Sequence, residues 1–100
     1  MVAERRVVRV SSAFFDQLDE QLQTERGPSG EPSAADFVVM ELPSIVERFA
    51  LEFDRLPQTI EGLPGARMVI APGLLVRAFA VYGVVDTDDV IELVGIIIES

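Results

Sequence analysis

The last third of the chain holds three apolar runs separated by turn signals, and this pattern constrains the fold most strongly. The runs are ARMVIA (66–71), LLVRAFAVYGVV (74–85) and VIELVGIII (90–98). A Pro-Gly pair (72–73) and an Asp-Thr-Asp segment (86–88) separate them, and both are typical of turns. We therefore expect three consecutive strands that are apolar enough to have little water on either face. Gly83 and Gly95 indicate a bulge or a close approach of two backbones.

The beginning of the chain predicts one more strand and a first helix. RRVVRV (5–10) alternates arginine with valine, which favours a strand, and its charges are typical of a protected sheet edge. SAFFDQLDEQLQ (12–23) follows two serines that can cap a helix. Its apolar residues recur at helical spacing: Phe14 or Phe15, Leu18 and Leu22.

A second, long helix is predicted from about Ala34 to Leu56. It follows a loop rich in glycine and proline (24–32), and SAAD (33–36) resembles a capping box at its start. Pro43 lacks a backbone N–H, so we expect it to kink this helix or to divide it in two. The phenylalanines of both helices are expected in the core.

These elements predict a single α+β domain that spans residues 1–100. The order of elements is βααβββ, with two N-terminal helices packed on a mainly antiparallel four-stranded sheet.

The composition restricts the chemistry that the chain can perform. There are 17 acidic residues and eight basic ones, all of them arginine, so the net charge is −9. This charge repels phosphate backbones and disfavours direct binding to nucleic acids. Without histidine, proton transfer would need carboxylates, tyrosine, arginine or water. No run is apolar enough over a membrane-spanning length, and no signal peptide is apparent, so we expect a cytoplasmic protein.

We expect no metal and no cofactor. Cysteine is absent from the chain, which excludes a thiolate site. The acidic segment that contains Asp86, Asp88, Asp89 and Glu92 does not match a calcium loop, because it lacks the glycine and has Val90 at the fifth position. A solvated turn explains these carboxylates better.

Several segments resemble the RelE/ParE superfamily of bacterial toxins. They are VVRVSSAFFDQLDEQL (7–22), FDRLP (53–57), GLPGARMVIAPGLLVRAFAVYGVV (62–85) and DDVIELVGIII (88–98). The resemblance covers almost the whole chain and implies a toxin that pairs with a cognate antitoxin. RelE-like members cleave mRNA in the ribosome, whereas ParE-like members poison DNA gyrase.

The resemblance also points to candidate site residues. Arg77 falls where the family has a strand arginine, Arg67 is a second candidate, and Tyr82 is the only tyrosine of the chain. Arginines could hold a phosphate and stabilise its developing charge. A structural alternative is that Arg77 pairs with Glu92 on the neighbouring strand. Because Tyr82 lies five positions after Arg77, an odd offset, their side chains would point to opposite faces of a regular strand.

The chain departs from the nuclease pattern in two respects. It has no lysine, and only two residues follow Ile98 where RelE-like nucleases usually have a basic tail. Our first hypothesis is therefore a toxin-like protein that acts by binding proteins, as ParE-like members do. The alternative is a non-toxic interaction module of the same fold, such as a homodimer. The third is a residual ribosome-dependent nuclease that uses Arg67, Arg77 and Tyr82.

Overall fold

A computed structural model of the chain shows the expected α+β domain, and it describes residues 5–23, 27–28 and 30–99. The strands are β1 (Val8–Val10), β2 (Ala66–Pro72), β3 (Ala78–Val85) and β4 (Ile91–Glu99). The helices are α1 (Ser12–Gln21), α2 (Ala34–Met40) and α3 (Leu42–Glu52), and a short 3-10 turn (Phe53–Arg55) follows α3. All three helices therefore lie between β1 and β2 in the chain.

The sheet is mixed, which corrects the prediction of a mainly antiparallel sheet, and three helices rather than the predicted two follow its first strand. Its strand order is β1-β4-β3-β2. β3 is antiparallel to both of its neighbours, but β1 runs parallel to β4, with Val10 opposite Leu93. A parallel pair needs a long connection between its strands, and the segment from α1 to β3 supplies it for β1 and β4. β1 is also shorter than predicted, because the N–H of Arg6 donates to the carbonyl of Ala50 on α3.

Pro43 divides the predicted long helix in two. It lies in the first turn of α3, where its missing N–H removes no helical hydrogen bond. The predicted capping box at the start of α2 is confirmed: Ser33 and Asp36 each accept the backbone N–H of the other at 3.0 Å. Ser11, not Ser12, caps α1 through the N–H of Phe14.

The core fills the space between the helices and one face of the sheet. Its largest fully buried side chains are Phe14, Phe37, Phe49, Leu18, Ile45, Ile91, Leu93, Ile96, Val69 and Val81. Phe15, one of the predicted core positions, is instead 39% exposed, because its neighbour Phe14 occupies the inward position of that turn.

A β-bulge at Val94 changes the phase of β4. Gly83 on β3 is opposite Leu93, but the preceding Tyr82 is opposite Gly95, so Val94 is an extra residue. Before the bulge the odd-numbered Leu93 faces the core, and after it the even-numbered Ile96 does so. The bulge that the two glycines predicted is therefore confirmed.

The other face of the sheet is open, which corrects the expectation that both faces exclude water. Ile70 on β2 and Ile97 on β4 are 62% and 56% exposed, whereas Val81 on the core face of β3 is fully buried. The physical reason is that the helices pack on one face only, so the outward-facing apolar residues have no second layer against them.

Candidate functional site

Arg67 supports the fold rather than an open site. Its guanidinium donates to the carbonyls of Pro64, Leu56 and Asp54 at 2.7, 2.8 and 3.2 Å. It also lies over the ring of Phe53, 5.7 Å from the centroid. These contacts tie the start of β2 to the end of the helical region, and they use Nε and one terminal nitrogen of the guanidinium.

Arg77 lies in the connection before β3, not in the strand where it was predicted. Its side chain is 73% exposed, and its nearest carboxylate is Glu99 at 3.5 Å. The predicted pairing with Glu92 is wrong, because the antiparallel register places Ala78 opposite Glu99 and Val84 opposite Glu92. Glu92 instead lies 3.8 Å from Arg9 on β1.

Tyr82 lies on the open face, half-buried between Met68 and Gly95. Arg67 is opposite Gly83, one position further along β3, and therefore faces the side of the sheet that the helices cover. Arg77 is five residues from Tyr82, near the other end of β3. The structure does not bring the three candidate residues together around a single point.

Alanine substitutions test the different contributions of Arg67 and Arg77 to stability. Arg67→Ala is expected to reduce the free energy of unfolding by about 2 kcal/mol, because three carbonyls lose a charged donor. Arg77→Ala is expected to change it by less than about 0.5 kcal/mol, because exposed ion pairs contribute little. Urea unfolding followed by circular dichroism measures both. Equal effects of the two substitutions would contradict the structural role given to Arg67.

The arginines near the start of the chain are engaged by carboxylates. Arg6 contacts Asp54 and Asp89 at 3.2 Å each. Arg5 donates to Glu47 on α3 at 2.6 Å, and this hydrogen bond lowers the pKa of the Glu47 carboxyl from its ordinary value. These ion pairs connect the segment before β1 to the helical region and to the β3–β4 turn. Because carboxylates neutralise both arginines, little positive charge is left to bind a phosphate.

The open face is built from four rungs that cross β2, β3 and β4. The rungs are Ala66–Val84–Glu92, Met68–Tyr82–Gly95, Ile70–Ala80–Ile97 and Pro72–Ala78–Glu99. In the third rung the small side chain of Ala80 lies between Ile70 and Ile97, and Ala78 continues the depression along β3. The result is a shallow apolar trough with one isoleucine on each side.

The half of β4 that extends beyond β1 has its free edge covered by α1. Gln17 donates to the carbonyl of Val94 at 3.3 Å and accepts the N–H of Ile96 at 3.0 Å. Gln21, one turn later, donates to the carbonyl of Ile96 at 2.8 Å and accepts the N–H of Ile98 at 2.6 Å. The two side-chain amides occupy the place of a neighbouring strand.

The edge of β2 is also largely covered. Residues 57–59 run beside its first half, where Pro57 accepts the N–H of Met68 and Thr59 donates to Ala66. Pro72 at its other end has no N–H to offer. Between them, antiparallel alternation leaves the backbone of Ile70 pointing outward. An added strand would therefore find only a short stretch of edge.

Sequence reasoning missed the residues that close these edges. The sequence pattern assigned no role to Gln17 and Gln21, although two glutamines four residues apart, next to core positions, could have indicated a shared contact. It also missed Glu41, which is 3% exposed and accepts the N–H groups of Leu74 and Leu75. No sequence signal distinguishes Glu41 from the exposed acids.

Comparison of the chain with protein-family models, with curated proteins and with solved structures finds no match in any of the three. None of the described helices is both long and apolar enough to cross a membrane.

Proposed function

We propose that the chain is a protein-binding module, and that it serves as the toxin-like member of a bacterial type II toxin–antitoxin pair. The observation that carries the binding function is the open face of the sheet, on which Ile70 and Ile97 are more than half exposed. Exposed apolar surface of this kind marks interaction sites in proteins. The toxin-like role is supported by the resemblance of the strand and helix segments to the RelE/ParE superfamily.

Protein binding is supported better than nuclease activity. Arg67 is engaged by backbone carbonyls, and Tyr82 lies on the face of the sheet opposite to it. A phosphate held by one of these groups would therefore be out of reach of the other. The net charge of −9 also opposes entry into an RNA-lined site.

Induced expression in a bacterial host tests the proposed role. We expect growth arrest when the chain is expressed alone, and relief when the adjacent open reading frame is expressed with it. The two products should then co-purify. Ile97→Asp should abolish arrest and co-purification together, because it places a charge beside the apolar trough of the open face.

Ile60→Asp is the matched control, because Ile60 is 57% exposed but lies in the connection before β2, away from this face. This variant should cause growth arrest and co-purify with the adjacent product as the wild type does. Normal growth in a host related to the source, with no co-purifying product, would contradict the toxin–antitoxin role.

A further inference from the structure

We infer that the occupant of the open face is a positively charged amphipathic helix of a partner protein. This inference rests on the protein-binding function proposed above, and it assigns the chemistry of the partner. The covered strand edges, the size of the face and the charges that border it all favour such a helix.

The covered edges of β2 and of the outer half of β4, which flank the open face, favour a helix over a strand as its occupant. A strand binds by adding to a sheet edge, but Gln17 and Gln21 already satisfy the outer half of β4. On β2, residues 57–59 cover the first half of the outer edge, and Pro72 has no N–H at the other end. Only the backbone of Ile70 is left to pair with an added strand. The face itself is free, and the usual second layer on an apolar sheet face is a helix.

The dimensions of the face agree with one helix. Eight residues of β3 extend over roughly 26 Å, and three strands are roughly 14 Å wide. A helix of about 18 residues is roughly 27 Å long and about 10 Å wide. One large apolar side chain on the apolar face of this helix would fit into the trough at Ala80, between Ile70 and Ile97.

A second copy of the chain fits this face less well. Such an association would bring together two chains that each carry a net charge of −9.

The border of the face is acidic on the side of β4. Phe14 and Leu18 point from α1 into the core, and Gln17 reaches the strand edge. Successive helix positions are about 100° apart, so Asp16 and Glu20 lie beyond Gln17 on the side of the open face. No described arginine forms an ion pair with either carboxylate.

The ends of β4 add two more carboxylates to this border. Glu92 and Glu99 project on the open side, close to Arg9 and Arg77. The border of the face thus contains four acidic residues and only two arginines. Lysine or arginine flanking the apolar stripe of a helix would complement this border.

Two labelled peptides test the inference with the full chain. Each is an 18-residue helix with leucines along one face, and the flanking positions are lysine in one peptide and glutamate in the other. By fluorescence anisotropy, we expect the lysine peptide to bind at least tenfold more tightly at low salt. The difference should fall below about threefold at 0.5 M salt, where the Debye length is roughly 4 Å.

Three variants locate the binding site. Ile97→Ser should weaken binding of the lysine peptide about tenfold, whereas the equally exposed Ile60→Ser should leave it within twofold of the wild type. Glu20→Lys, on the exposed side of α1, should weaken the lysine peptide and strengthen the glutamate peptide. Circular dichroism spectra that match the wild type show that each variant is folded.

Several results would overturn the inference. One is that the lysine and glutamate peptides bind with equal affinity, or that neither peptide reaches saturation. Another is that Ile97→Ser binds the lysine peptide as well as Ile60→Ser does. Light scattering that shows a dimer, lost in Ile97→Ser and kept in Ile60→Ser, would assign the face to a second copy instead. Each of these results leaves the growth experiment unaffected, so failure of this inference and failure of the toxin–antitoxin role are distinguishable.

Discussion

Glu41→Ala is expected to lower the free energy of unfolding by about 3 kcal/mol, because it removes a buried carboxylate that accepts two backbone N–H groups. The Glu41 side chain lies at the junction of α2 and α3 and is 3% exposed. Its carboxylate accepts the N–H of Leu74 at 2.9 Å and that of Leu75 at 3.0 Å. The β2–β3 connection is therefore held to the helices by one carboxylate.

The effect can be measured by urea unfolding followed by circular dichroism, since the chain has no tryptophan. Glu47→Ala is the matched control on α3. Its carboxylate pairs with Arg5 at the surface, so its loss should cost much less than that of Glu41. Glu41→Gln, which keeps one acceptor oxygen, should fall between the two. A loss for Glu41→Ala no larger than that for Glu47→Ala would refute this role.

Gly83→Ala is expected to destabilise the fold by about 2 kcal/mol through overpacking. A Cβ at Gly83 would lie 2.6 Å from Cε1 of Phe49 and 3.2 Å from Cδ2 of Leu93. Both of these side chains are fully buried, so neither can move into solvent to make room. Because Gly83 has no side chain, the ring of Phe49 on α3 can pack directly against β3.

A double-mutant cycle checks this contact. Phe49→Leu should be less destabilising in the Gly83→Ala background than in the wild type, because the smaller side chain relieves the overlap. Gly65→Ala is the control, since its nearest contact would be Val85 Cγ1 at an ordinary 3.4 Å. Additive effects of Gly83→Ala and Phe49→Leu would show that the ring is not the obstacle.

Local signals predicted most of the secondary structure. The capping box at Ser33 and the division at Pro43 depend on neighbouring residues and on one missing N–H, so the sequence alone contains that information. The three C-terminal strands were likewise evident, because apolar runs and turn residues are local features.

The pairing of distant segments could not be predicted in the same way. Val8 lies beside Ile91 only because three helices return the chain across one face of the sheet. That same arrangement leaves Ile70 and Ile97 exposed, although their strands are apolar enough to be covered on both faces. The sequence therefore could not show which residues of the apolar sheet stay exposed, while Arg67 and Arg77, which a family pattern suggested, lie apart from each other.

The bulge at Val94 has a consequence for inheritance. Because Val94 is the one residue of β4 without a partner on β3, loss of its single codon would leave Leu93 opposite Gly83 and Gly95 opposite Tyr82 in a regular ladder. Ile96 would still face the core and Ile97 the open side, without a change to any other amino acid. A three-nucleotide deletion could thus straighten β4 while preserving both the core and the exposed surface of this domain.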